Sequence, residues 1–420
     1  MFLSACLLAA LPGAGFPQPD PVVVPTADGK RLFVVMRPTI GGERWLAVWD
    51  LTKPELSAVV GGIPADTHTL RPTADGKRFT LVGGTLWTVS RIEVRDTATG
   101  KRLHNFDVST KGTGTAAVSP DGNWAGFRPH GNDLAPRVWN TDTGERAEAV
   151  EKAVGKVEGT FAFSADSKRL IALTDATYAE YDLATGEATR TWKRPSAGRG
   201  FVESAFGQWI AALPDDKGVV TVGATGKRRQ SYVIRLHTET KTWPLGELRD
   251  HATAPVVSPD GRLLIATGGA RPEGPNTYVL KLGADGTPEL EDRPEKAREP
   301  FGGGDGTKVP AWREWSLAPP TRAGRTLPIG EMPGGLAFAP DGKRLFVAGM
   351  NGRAYVHDPD RRVLKATLFA VQPEKAGVVP GWHILTAAGE FVGSPKEAAA
   401  LADNGKVQDA AKVKEALGVK

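Results

Sequence analysis

Residues 25–35 read Pro-Thr-Ala-Asp-Gly-Lys-Arg-Leu-Phe-Val-Val, and residues 72–82 repeat them almost word for word as Pro-Thr-Ala-Asp-Gly-Lys-Arg-Phe-Thr-Leu-Val. Looser copies stand at 118–127 (VSPDGNWAGF), 163–173 (FSADSKRLIAL), 257–267 (VSPDGRLLIAT) and 338–348 (FAPDGKRLFVA). Their aspartates are Asp28, Asp75, Asp121, Asp166, Asp260 and Asp341, so successive spacings are 47, 46, 45, 94 and 81 residues. A gap of 94 is two units of 47 and hides one copy. Phe206–Leu213 fits the second strand of that copy, with the turn degraded to Phe206-Gly207.

Each copy places an Asp-Gly pair between two apolar runs. Asp-Gly supplies the positive φ angles that a two-residue hairpin needs, so the pair predicts a tight turn between strands. A third strand follows and ends in an aromatic-acid pair or a relative of one: Trp49-Asp50, Arg95-Asp96, Trp139-Asn140, Tyr181-Asp182 and His357-Asp358. Thr-Gly turns at 99–100, 143–144 and 185–186 then lead into a fourth strand, such as Leu103–Asp107. Four strands per unit of about 45 residues describes one blade of a β-propeller, and such a blade buries its faces only by stacking on neighbours.

The order of these elements resembles the bacterial WD-repeat (SPDGK-type) β-propellers. It has partial similarity to the lactonase and surface-layer propellers, and 337–358 is the nearest match. The resemblance covers about 25–395 and implies an all-β fold made of a single propeller. Trp-Asp is intact only at Trp49-Asp50, and the Gly-His pair of that family is not seen.

Six copies and one hidden unit predict seven blades. The 81-residue spacing leaves eight open, because the Gly- and Pro-rich stretch 283–334 could be an irregular insertion or a further blade. A structureless loop of that length would be unusual, so short strands are expected in it. Gly381–Pro395 resembles the closing hairpin of bacterial WD-repeat proteins. Ser394-Pro395-Lys396-Glu397 opens a short helical tail over 396–420 with a capping-box pattern.

The 420 residues hold 50 Gly and 32 Pro, too many interruptions for a helical bundle. Net charge is only +5, and no basic stripe or recognition motif points to nucleic acid. The single cysteine, Cys6, excludes an internal disulfide and a Cys-based zinc site. It lies in an apolar start (1–15) that reads as a secretory signal and is too short for a transmembrane span. A lipobox-like Leu3-Ser-Ala-Cys6 offers a lipid anchor as the alternative, and an unprocessed cytoplasmic chain is the third reading.

No nucleophile elbow, phosphate-binding loop or His-Glu-x-x-His motif is present, and the seven histidines are scattered. No catalytic residue, cofactor or metal is therefore expected. The repeated aspartates read as turn formers, each bonded to its own backbone. The turns joining first to second and third to fourth strands carry Lys30, Arg31, Lys77, Arg78, Lys101, Arg102, Lys168, Arg169, Arg262, Lys343, Arg344, Arg361 and Arg362, which predict a basic face. The opposite face carries the longer loops, where function on rigid scaffolds tends to sit. Arg37, Arg128, His130, Arg137, Arg271, Trp312 and Trp315 are the interaction candidates there. The reading is a non-catalytic secreted or cell-envelope scaffold for unidentified protein partners. The alternative is a lactonase- or quinoprotein-type enzyme with its site at the axial channel mouth.

Overall fold

In the repeated phrase the aspartate is held by its own turn. Thr26 Oγ1 donates to Asp28 Oδ1 at 2.6 Å, Lys30 N donates to the same oxygen at 3.0 Å, and Gly29 N donates to Thr26 O at 2.9 Å. The same bonds recur at Thr73/Asp75 and Ser119/Asp121. Ser164/Asp166 repeats them with Ser167 in place of glycine. Here the turn differs from a two-residue hairpin. Gly29 has φ of 67° while Asp28 keeps a negative φ, because the Ser/Thr hydroxyl fixes the carboxylate inside a longer turn. Ser167 takes the glycine's left-handed place at φ 61°.

The computed structural model describes residues 22–36, 44–84, 89–108, 114–129, 135–155, 160–173, 177–193, 335–348, 353–358, 363–371, 380–403 and 406–418. It also describes residue 239 and the strands found between 209 and 315. These residues form antiparallel sheets in chain order. The first sheet is β1 (Val23–Pro25), β2 (Arg31–Met36), β3 (Arg44–Asp50) and β4 (Glu55–Ile63). The second is β5 (Thr67–Pro72), β6 (Arg78–Gly84), β7 (Val89–Asp96) and β8 (Arg102–Phe106). The third has three strands, β9 (Gly114–Val118), β10 (Trp124–Pro129) and β11 (Arg137–Asn140), followed by α1 (Glu148–Val154). The fourth is β12 (Thr160–Phe163), β13 (Arg169–Leu173), β14 (Thr177–Asp182) and β15 (Ala188–Lys193). The fifth is β16 (Trp209–Ala212), β17 (Val219–Ala224), β18 (Ser231–His237) and β19 (Thr242–Arg249). The sixth holds β20 (His251–Ala252), β21 (Val256–Val257), β22 (Arg262–Gly268), β23 (Asn276–Leu282), β24 (Pro288–Glu289) and β25 (Arg313–Trp315). The seventh contains β26 (Gly335–Phe338), β27 (Leu345–Ala348), β28 (Arg353–Asp358), β29 (Val363–Ala370), β30 (Trp382–Thr386) and β31 (Glu390–Gly393). Then come α2 (Pro395–Asp403), β32 (Val407–Gln408), which adds parallel to β31, and α3 (Ala410–Leu417).

Two local expectations change. Residues 209–212, read as part of the hidden unit's second strand, form the first strand of the fifth sheet, β16, and pair with β17, while Phe206-Gly207 lies outside the described residues. In the third sheet a helix replaces the fourth strand. Residues 147–154 (AEAVEKAV) are strong helix formers with Ala147, Val150 and Val154 on one stripe. Val150 and Val154 are buried against Phe161, Phe163 and Leu170, and Glu151 accepts the Val138 amide at 2.8 Å, so α1 covers the edge of β11. The short strands expected within 283–334 are present as β24 and β25, which pair with β23 along one edge of the sixth sheet.

Between sheets, first strands meet first strands. β1 lies against β5 and β26, β12 against β9 and β16, and β21 against β16 and β26. The first and last sheets share one core in which Leu32, Trp49, Phe346, Val356 and Ile384 are buried together with Val413 and Leu417 of α3. A Cβ on Gly29 would stand 3.0 Å from Arg344 Nη2 and 3.3 Å from Pro340 Cδ, so the first sheet's turn is seated on the seventh sheet's turn. Asp409 caps α3 by accepting the Lys412 amide, and Arg344 Nη1 donates to Leu417 O at 3.2 Å at its other end. Among the described residues no helix is long and apolar enough to cross a membrane.

Candidate functional site

The Asp-Gly face is less free than its sequence suggests. Arg31 Nη1 donates to Gly76 O at 3.3 Å, Arg78 pairs with Asp142, and Arg344 reaches Asp341 and Leu417 O. These arginines tie one sheet's turn to the next element. Lys30 and Lys77 stay exposed, 3.9 and 3.8 Å from Asp28 and Asp75. Between them lies a shallow depression lined by Thr26, Asp28, Lys30, Arg31, Asp50, Thr52 and Asp75. Partial burial alone would raise the pKa of Asp75, but the Lys77 amide, the Thr73 hydroxyl and the charges of Lys77 and Arg78 carry it below its ordinary value. The same balance holds Asp50 and Asp166 low. The repeated carboxylates are occupied by their own turns.

The other ends of the first three sheets carry the sharper geometry. Arg44, buried on β3, donates from Nη1 to Thr67 O at 3.0 Å. Arg91, on β7, forms an ion pair with Asp66, which also accepts Ser90 Oγ at 2.9 Å. Arg91 reaches Asp66 by crossing β6 at Gly83, where any Cβ would overlap the guanidinium. Two arginines from two sheets thus converge on the start of β5. Burial pushes the Arg91 pKa down, against the attraction of Glu93. Further along β7, buried Glu93 accepts from Arg95 at 2.7 Å, and Arg95 Nη1 donates to Gly62 O of the first sheet at 3.1 Å. Arg44 is buried, whereas Arg91 is partly exposed, and a partly exposed guanidinium at a strand end is suited to binding carboxylate or phosphate groups.

Of the sequence candidates, Arg128 and Arg137 lie at this same end of the third sheet. Arg137 pairs with Phe127, which is packed toward the second sheet, and its Nη1 donates to Asp107 O at 2.9 Å. Arg128, one residue on, takes the opposite face and is buried. The sheet therefore separates these two instead of bringing them together. Trp315 lies in β25, opposite Thr277. Arg37, His130, Arg271 and Trp312 lie outside the described residues. Sequence reading missed Arg44, Asp66 and Arg91. Arg44 and Arg91 interrupt apolar strands, which is the available signal, but their partners depend on sheet packing.

A second buried carboxylate, Glu180 on β14, accepts Tyr178 OH at 2.7 Å and Arg169 Nη1 at 2.6 Å, with Arg190 3.8 Å away. All of its partners are protein groups, and Arg190 continues to Glu239 at 2.9 Å. It binds the fourth sheet together and reaches toward the fifth.

No family model matches the sequence, and no curated protein matches it. Among solved structures, the chain is similar to the hydrazine synthase of Kuenenia stuttgartiensis, with 16% identity, a TM-score of 0.49, and coverage of 84% of this chain and 99% of that one. It is also similar to a chain of the mitotic checkpoint complex, with 12% identity, a TM-score of 0.42, and coverage of 80% of this chain and 86% of that one. Both likenesses fall below a TM-score of 0.5, so the fold reading rests on the sheets themselves.

Proposed function

We propose that the sheets close into one seven-bladed propeller and that this propeller is a non-catalytic platform for protein partners, secreted or held in the cell envelope. One observation carries the ring reading: the first and seventh sheets share a single buried core, clasped by α3. The pairing of β24 and β25 with β23 supports seven blades over eight, since 283–334 then belongs to the sixth blade. Support for a platform over a lactonase- or quinoprotein-type enzyme comes from the inner strands. Among the described residues, the first strands of the seven sheets hold Arg71, His68 and His251 as their only ionisable residues and no carboxylate.

The binding surface is the loop end of the first and second blades, where Arg44 and Arg91 frame Asp66. Its partly exposed group, Arg91, fits an acidic segment of a partner that takes the place of Asp66. The test compares wild type with Arg91→Glu by affinity capture from the native host's envelope fraction, with mass spectrometry of the mature N-terminus. The reading expects a partner retained by wild type and lost in the variant, and cleavage near Gly15. Identical captures by both proteins, or intact Met1 in the cytosol, would contradict it.

A further inference from the structure

Arg71 is the one arginine or lysine on the first strands. It stands on β5, directly opposite Thr80 of β6. Side chains at opposed positions share a sheet face with Cβ atoms about 5 Å apart. Leu70 and Leu81 pack toward the first sheet and Val82 toward the third, so Arg71 and Thr80 share the face toward the third sheet.

Neither polar group is satisfied by a described residue. Arg71 makes no hydrogen bond or ion pair among the described residues. Its surroundings lower its pKa by desolvation, with no charge of a described residue acting on it. Thr80 is fully buried, and its Oγ1 has no hydrogen-bond partner among the described residues. Arg71 is half-buried, so its guanidinium keeps an open side where it lacks a counter-charge, and the buried hydroxyl beside it is left unmade at a cost. The buried arginines Arg44 and Arg344 differ, since Arg44 holds Thr67 O and Arg344 holds Asp341 and Leu417 O. The first strands around Arg71 offer no carboxylate to complete it.

We infer that Arg71, beside Thr80, forms a binding site for a small oxyanion at the inner edge between the second and third sheets. The guanidinium supplies a planar fork that matches a carboxylate or a phosphate, and the hydroxyl supplies a third donor. The ligand enters along the axis of the ring. This goes beyond the platform reading and gives the axis an occupant of its own.

The test is calorimetric titration of the full-length protein with inorganic phosphate and, separately, with succinate, in chloride buffer at constant ionic strength. Crystals soaked in selenate then locate the site by anomalous scattering. Saturable binding of at least one probe is expected, with a selenate peak at Arg71, and the probe that binds identifies phosphate or carboxylate as the ligand class. Arg71→Met keeps the chain length and removes the fork, and should weaken binding about tenfold or more. No heat with either probe, equal binding by Arg71→Met, or a selenate peak elsewhere would overturn the site. Should Arg71→Met fail to fold, the wild-type titration and the selenate position decide alone. Partner capture by the loop-end arginines is unaffected by these outcomes, so the two readings fail separately.

Discussion

Trp49 of β3 and Trp382 of β30 meet edge to face, with ring centroids 5.9 Å apart and ring planes at 83°. One residue belongs to the first sheet and the other to the last, 333 positions later in the chain. Trp49 is fully buried and Trp382 packs on the same core. Edge-to-face aromatic pairs contribute about 0.5–1.5 kcal/mol beyond the area they bury. A double-mutant cycle with Trp49→Leu and Trp382→Leu should return a coupling of about 1 kcal/mol in denaturant unfolding. Additive effects would mean that the two sheets do not meet here.

Truncating the clasp should cost more. Leu417 is fully buried in the core shared by the first and seventh sheets. Leu417→Ala is expected to destabilise by about 2–5 kcal/mol, the range for a buried leucine, measured by chemical denaturation. A change within about 0.5 kcal/mol would place α3 outside the core.

Two glycines of similar φ separate backbone strain from packing. Gly62 (φ 65°) has open space where a Cβ would go, whereas a Cβ on Gly122 (φ 73°) would overlap the Pro72 carbonyl of the second sheet. Gly62→Ala should cost about 1–2 kcal/mol from the left-handed conformation alone. Gly122→Ala should cost clearly more, because backbone must move. Equal melting temperatures for the two variants would remove the turn-on-turn contact between the second and third sheets.

Ser167 stands where the other described repeats have glycine, and its Oγ accepts the Asp121 amide of the third sheet at 3.0 Å. Ser167→Ala keeps the strained φ and loses that bond, so it should destabilise by about 1–3 kcal/mol. Ser167→Gly loses the bond but relieves the strain, and should fall between alanine and wild type. Alanine matching wild type in thermal unfolding would remove the cross-sheet bond from the account.

His357 occupies the third-strand position held by Trp49 in the first sheet. It is buried, its Nε2 has no hydrogen-bond partner among the described residues, and burial pushes its pKa down to about 4. A base whose folded pKa is lowered keeps its contribution above the unfolded value of 6.5 and loses it as pH falls toward 4. The protein should lose about 3 kcal/mol across that window from this group, and His357→Gln should flatten the slope. Urea midpoints measured from pH 7 to pH 4 check this, and an unchanged slope in the variant would contradict it.

Much of this fold is legible in the repeated phrase. β2, β6, β13 and β22 begin at the arginine after the turn, β10 begins at the matching Trp124, and β3, β7 and β14 end on the expected aspartates. That legibility has a local cause, since each turn is closed by residues within five positions of one another. The departures are also physical. At α1 the local helix propensity of 147–154 prevailed over the repeat, and the sequence joining β16 to β17 carries no copy of the Ser/Thr-x-Asp-Gly phrase. The site was hardly legible at all. Arg44 and Thr67 are 23 residues apart, and Arg91 finds Asp66 only because Gly83 leaves room across β6.

The central claim is that the first and last sheets close one ring. An NMR cross-relaxation experiment on deuterated protein with protonated tryptophan, with the two indoles assigned by Trp49→Phe and Trp382→Phe, measures that contact in solution. The account predicts a cross-peak between the Trp49 and Trp382 ring protons, as a centroid separation of 5.9 Å requires. Assigned, sharp resonances from both indoles with no cross-peak between them would contradict closure.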